Sequence, residues 1–130
     1  MYFFTGTIIT EPRFMYVKCD TELARYYRHL AGFEDIPLIS QRIDSHISVI
    51  RTEELLPTQL LPTTYDGLVI EAFGNPSYVQ NNSKHYWFRV ISPQLEEIRL
   101  SLGFCNQPAE VIDGRIITHP FHLTFGRIKT

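Results

Sequence analysis

At 130 residues, with 44% hydrophobic and 13% aromatic side chains, the chain has the length of one domain and enough apolar material for a core. That excludes disorder as a description of the whole. Twelve Lys and Arg against 14 Asp and Glu give a net charge of −2, without the basic surplus that long nucleic acid requires. Long DNA is therefore not an expected partner, whereas a small anionic ligand needs only a few local cations. Cys19 and Cys105 form no CxxC pair and read as isolated core thiols of an intracellular protein. The first residues lack the basic and apolar segments of a leader, and no apolar run is long enough to span a bilayer. The expectation is a soluble cytoplasmic protein with no membrane partner.

In chain order, Tyr2 to Thr10 is aromatic and β-branched and reads as a strand, broken by Pro12; Phe14 to Cys19 reads as a second. Asp20-Thr21-Glu22 has the side chains of a helix start, and Gly32 those of a stop. Between them Leu23, Tyr26, Tyr27 and Leu30 recur at helical spacing and predict the buried face. Ser45 to Arg51 is a β-branched run, hence a strand; Thr52 to Asp66, with Pro57 and Pro62, reads as loop. Leu68 to Phe73 predicts a strand ending at a Gly74-Asn75-Pro76 turn, and Asn81-Asn82-Ser83 a polar break before the strand Tyr86 to Ile91. Ser92-Pro93 opens a second helix with Leu95, Ile98 and Leu102 inward and Gly103 at its end. Asp113-Gly114 is a hairpin turn, and Phe121 to Ile128 the last strand. Two helices among roughly seven or eight strands predict one α+β domain over residues 1–130, mostly antiparallel.

Two segments carry chemistry. In His46-Ile47-Ser48 and His122-Leu123-Thr124, strand geometry sets each histidine on the same face as a hydroxyl, with the apolar residues between them turned to the core. Each segment lies in a strand that follows a helix. If those strands meet, two imidazoles share a cleft. Imidazole titrates near neutral pH, so one can take a proton from a nucleophile while the other gives one to a leaving oxygen. The hydroxyls of Ser48 and Thr124 can donate to the oxygens of a phosphodiester. There is no HExxH, acidic cluster or third ligand at a metal-binding spacing, so neither a metal nor a cofactor is expected.

The paired His-x-Ser/Thr motifs resemble those of the 2H phosphoesterase superfamily, with Ser48 keeping the hydroxyl where threonine is usual. The resemblance implies a bilobal α+β domain with the motifs facing across a groove. It also implies a metal-independent phosphodiesterase acting on a small nucleotide or oligonucleotide. Compact viral members that degrade cyclic or 2′-5′-linked signalling oligonucleotides are the nearest analogy, and would place the chain in host cytoplasm. An RNA-end 2′,3′-cyclic phosphodiesterase and a non-catalytic nucleotide-binding module are the alternatives. By analogy with the viral members, Tyr16 and Lys18 on an early strand are substrate-binding candidates. From the residues themselves, Trp87 is a candidate for stacking a base and Arg42 a loop cation able to reach a phosphate. His29, His85 and His119 read as surface or loop histidines. Arg51 and Arg127, five residues beyond their motif histidines, are expected to turn away from the histidine face unless the strand bends.

Overall fold

Alternating apolar and polar residues make the strands two-faced, and the apolar faces set the architecture. The computed structural model describes residues 2–33, 36, 38–81 and 85–128, with backbone alone at 2, 75–81 and 110–112. The elements are β1 (Tyr2–Glu11), β2 (Phe14–Lys18), α1 (Thr21–Gly32), β3 (Leu38–Ile39), β4 (His46–Ile50), β5 (Val69–Asn81), β6 (His85–Ile91), α2 (Pro93–Ser101), β7 (Ala109–Ile112), β8 (Arg115–Thr118) and β9 (Phe121–Ile128). A 3₁₀ turn covers Thr52–Glu54. The main sheet has the order β3-β9-β4-β2-β1-β5-β6, and β6 pairs back onto β9. Six strands thus close into an antiparallel barrel, with β3 on the far end of β9, while β7 and β8 form a separate hairpin. No helix of the described residues is long and apolar enough to cross a membrane.

The α+β class and the antiparallel pairing are as the sequence predicts. The two lobes are not: one closed barrel replaces them, because β9 has partners on both edges. Its interior is filled by Phe4, Ile8, Val17, Ile47, Ile70, Phe88 and Leu123, among others, all buried. Closure also spares the edges that an open sheet would expose.

The helices sit at opposite ends of β4. Asp20 caps α1, its carboxylate accepting from the Glu22 N–H at 3.0 Å, and Ser92 caps α2 through the Leu95 N–H at 3.4 Å. The buried face of α1 differs from the predicted stripe. Ala24 is fully buried and Leu23 and Tyr27 pack on the core, while Tyr26 and Leu30 are exposed. Tyr27 reaches Phe88 and Phe125, with ring centroids at 5.4 and 5.8 Å. This close approach of α1 and β3 to β9 depends on Gly126, where a Cβ would lie 2.9 Å from Leu38 Cβ and 3.1 Å from Arg28 Cγ.

Further corrections are local. The Gly74-Asn75-Pro76 turn is an irregularity inside a longer β5, where the ladder passes from Gly74–Val90 to Val79–Phe88. Pro76 has no N–H to give the ladder, so the strand loops out and resumes. Much of the predicted break at 81–83 lies outside the described residues. The Asp113-Gly114 hairpin turn holds, with φ of 51° and 75°. Cys19 is buried as expected, its thiol pushed up to about 12 by burial, but Cys105 is exposed.

The residue that sequence periodicity misses in the core is Arg99. Its side chain is wholly buried against Glu54, itself 5% exposed, in a two-pronged ion pair. The guanidinium also donates to the Val49 and Cys105 carbonyls at 2.6 and 2.8 Å, and Glu54 accepts the Ala109 N–H at 3.0 Å. One charge pair therefore fastens α2, the end of β4, the 3₁₀ turn and the start of β7. Glu54→Gln leaves a buried cation half-paired and should cost about 3–5 kcal/mol of stability, measured by urea unfolding. An unchanged midpoint would contradict this role.

Candidate functional site

Strand register brings the two motifs together. In the β4–β9 ladder His46 stands opposite Thr124 and Ile47 opposite Leu123. Continuing that register by one residue sets Ser48 against His122. The four polar residues form a square on the face turned away from the barrel interior, with the imidazoles on one diagonal. Diagonal neighbours in such a ladder lie roughly 7–8 Å apart at the backbone, within reach of one bound phosphate. The flanking strands extend the array. Tyr16 and Lys18 of β2 pair with Ser48 and His46, and Trp87 and Arg89 of β6 with Thr124 and His122. The sequence leaves open which face Trp87 takes; it joins the histidines, while Phe88 is in the core.

The turn before His46 is tightly held. Arg28 of α1 grips Asp44 with both prongs, at 2.7 and 3.0 Å, and donates to the Phe125 carbonyl of β9 at 2.8 Å. Ser45 adopts the left-handed conformation, φ 48°, and is fully buried. Its hydroxyl accepts the Ala24 N–H at 2.9 Å and its carbonyl the Cys19 N–H at 2.8 Å, which hold a conformation that a side chain disfavours.

That turn carries the Ile43 carbonyl to 2.6 Å from His46 Nδ1, and the Pro120 carbonyl lies 3.3 Å from His122 Nδ1. A carbonyl can only accept, so Nδ1 bears the proton in both rings and Nε2 is left to a ligand. Burial is the main reason that His46 titrates below its ordinary value, opposed by its backbone hydrogen bond and aided by the Arg51 charge. His122 is lowered to about 4, again chiefly by burial, with Arg51, His119 and His46 adding to the effect. Without a ligand, His122 is thus neutral at pH 7.

A cleft of about 520 Å³ opens over this face, and four of the five histidines in the chain line it: His46, His85, His119 and His122. Ser48, Thr124, Trp87 and Arg51 complete its functional wall, and among the described residues no carboxylate lines it. Trp87 lies with its ring centroid 5.8 Å from that of His122. Of the sequence candidates, Tyr16 and Lys18 share the face without lining this cleft, although Tyr16 meets His46 edge-on at 5.9 Å. Arg42 lines a neighbouring pocket instead.

Sequence reasoning misplaces four residues, one of which, Arg127, is expected to turn away yet lines the neighbouring pocket beside His46. Arg51 is expected to point away, yet it lines the cleft. The reason is a bulge: the β2–β4 register shifts between Tyr16 and Met15, so Val49 and Ile50 are both buried and Arg51 regains the histidine side. The signal was available, since Val49-Ile50 breaks the alternation that His46-Ile47-Ser48 begins. His119, expected at the surface, and His85, expected in a loop, also line the cleft. His85 is the first residue of β6, opposite Arg127.

Among the described residues no group of three or more His, Cys, Asp or Glu side chains is arranged to hold a metal ion. What the site offers is two like-tautomer imidazoles, two hydroxyls and one guanidinium around one cleft. The chain matches no family model, no curated protein and no solved structure.

The depressed His122 value makes a test of this geometry. The unfolded chain takes up a proton near 6.5 and the folded site only near 4, so the stability present above 6.5 is lost as pH falls toward 4. Across that window the melting temperature of the wild type should fall more than that of His122→Gln. Equal falls would show that His122 is not held neutral by its surroundings.

Proposed function

We propose that the protein is a metal-independent phosphodiesterase of the 2H type, cleaving a small nucleotide or oligonucleotide with His46 and His122 as its acid and base. The observation that carries this reading is the pair of imidazoles on neighbouring strands, each with Nδ1 tied to a carbonyl, in one cleft with two hydroxyls and a guanidinium. A general base must be neutral and a general acid protonated at the working pH. His122, lowered to about 4, suits the base, and removes a proton from water or a ribose 2′-hydroxyl as that oxygen attacks phosphorus. His46 then gives its Nε2 proton to the departing oxygen. Charge gathering on the non-bridging oxygens is met by the Ser48 and Thr124 hydroxyls and by Arg51. The Arg51 guanidinium on the cleft wall fits an anionic substrate, because a fixed positive charge there attracts it. A role in removing a nucleotide signal of host defence, as in the compact viral 2H members, is the biological setting that we favour.

The test is turnover by purified protein in excess EDTA of a panel containing 2′,3′-cyclic nucleotides, 2′-5′ oligoadenylates, and cyclic di- and trinucleotides. At least one member should be cleaved, with a bell-shaped dependence of kcat/KM on pH whose acid limb falls near 4, as His122 becomes protonated, and whose alkaline limb lies below the ordinary histidine value, because burial lowers His46. Turnover of the 2′,3′-cyclic nucleotides alone would move the substrate to RNA ends. No cleavage of any member, or cleavage that EDTA abolishes, would overturn the mechanism.

A further inference from the structure

A second pocket of about 530 Å³ adjoins the histidine cleft and shares Gln41, His46 and His85 with it. Because His46 lines both, a ligand bound over the histidines can continue into the neighbour without leaving the protein surface. The second pocket has a different lining. Arg42 and Arg127 supply two guanidinium groups, with no ion-pair partner among the described residues, against the exposed carboxylate of Glu11. Phe14 adds a half-buried ring, stacked on Tyr16 at 5.0 Å and edge-on to His46 at 6.3 Å.

Two cations and an aromatic ring beside a phosphodiester site are the chemistry of another nucleotide unit. Guanidinium groups bind phosphate oxygens through paired N–H donors, and an aromatic side chain gives a base a face to stack on. A mononucleoside cyclic phosphate would fill the first cleft and leave this lining unused. We infer that the substrate is an oligonucleotide of at least two nucleotides. Its scissile phosphodiester lies over His46 and His122, a second phosphate lies on Arg42 and Arg127, and the adjoining base packs on Phe14. This rests on the reading of the first cleft as a phosphodiester site, and it narrows the substrate class.

Equilibrium binding tests it independently of catalysis. The probes are the dinucleoside monophosphate ApA, its 5′- and 3′-phosphorylated forms, and cyclic di-adenylate, titrated into the full-length His122→Ala variant in EDTA. At least one probe with two phosphates should bind tighter than ApA by roughly tenfold or more, as expected of a charge-assisted contact. A preference confined to cyclic di-adenylate would identify the ring form, and one confined to the linear probes the open form. The advantage should shrink severalfold with Arg42→Gln added, a substitution at an exposed loop position, and vanish with Arg42→Gln and Arg127→Gln together. Equal binding of all probes, or an advantage that survives both substitutions in a folded protein, overturns the inference. The two proposals fail separately. A binding preference in a protein whose wild type cleaves nothing leaves the second site standing without the catalysis. Cleavage without the preference does the reverse.

Discussion

The antiparallel register of β4 and β9 is the constraint from which the rest of the structure follows. It closes the barrel, because β9 then pairs with β4 on one edge and β6 on the other. It also decides the chemistry of the outer face. A slip of one residue would turn His122 and Thr124 inward and Leu123 and Phe125 outward, destroying core and cleft together. Core packing therefore protects the site: Ile47 and Leu123, fully buried opposite each other, enforce the pairing that aligns the polar square behind them.

Two arginines secure the strand that carries the first motif. Arg28 holds its approach through Asp44 and reaches across to the Phe125 carbonyl, so α1 ties β4 to β9. Arg99 holds its far end through the Val49 carbonyl and the Glu54 carboxylate. The second clamp also governs Arg51, whose N–H donates to Glu54 at 3.0 Å. A buried ion pair is seldom a net source of stability compared with apolar packing, but it fixes direction. Here it fixes where β4 stops and where the cation of the cleft begins.

Local pattern made much of this legible in the sequence. Both helices, their caps, the Asp113-Gly114 hairpin and the two motif strands depend on neighbours within a few residues, and each lies close to where the sequence places it. The square of His46, Ser48, His122 and Thr124 follows from strand periodicity once the strands are known to pair. The pairing itself was not legible, since one barrel and two facing lobes use the same alternation. Bulges were harder still. They belong to the relation between two strands, so alternation along one strand turns Arg51 to the wrong side although Val49-Ile50 marks the place. Nothing local marks Arg99 as buried, because its partner, Glu54, is 45 residues away in sequence. The positions of His85 and His119 depend on how the segments around the barrel end meet, which no short-range signal encodes.

If the register makes His46 and His122 a single proton-transfer unit, their contributions to rate cannot be independent. The most direct measurement is a double-mutant cycle: kcat/KM in EDTA for the best-cleaved phosphodiester with His46→Ala, His122→Ala and the pair. Each single substitution is expected to cost about 10²–10⁴-fold, and the double variant to be scarcely slower than the worse single one. Losses that multiply, or one single variant as fast as the wild type, would contradict it.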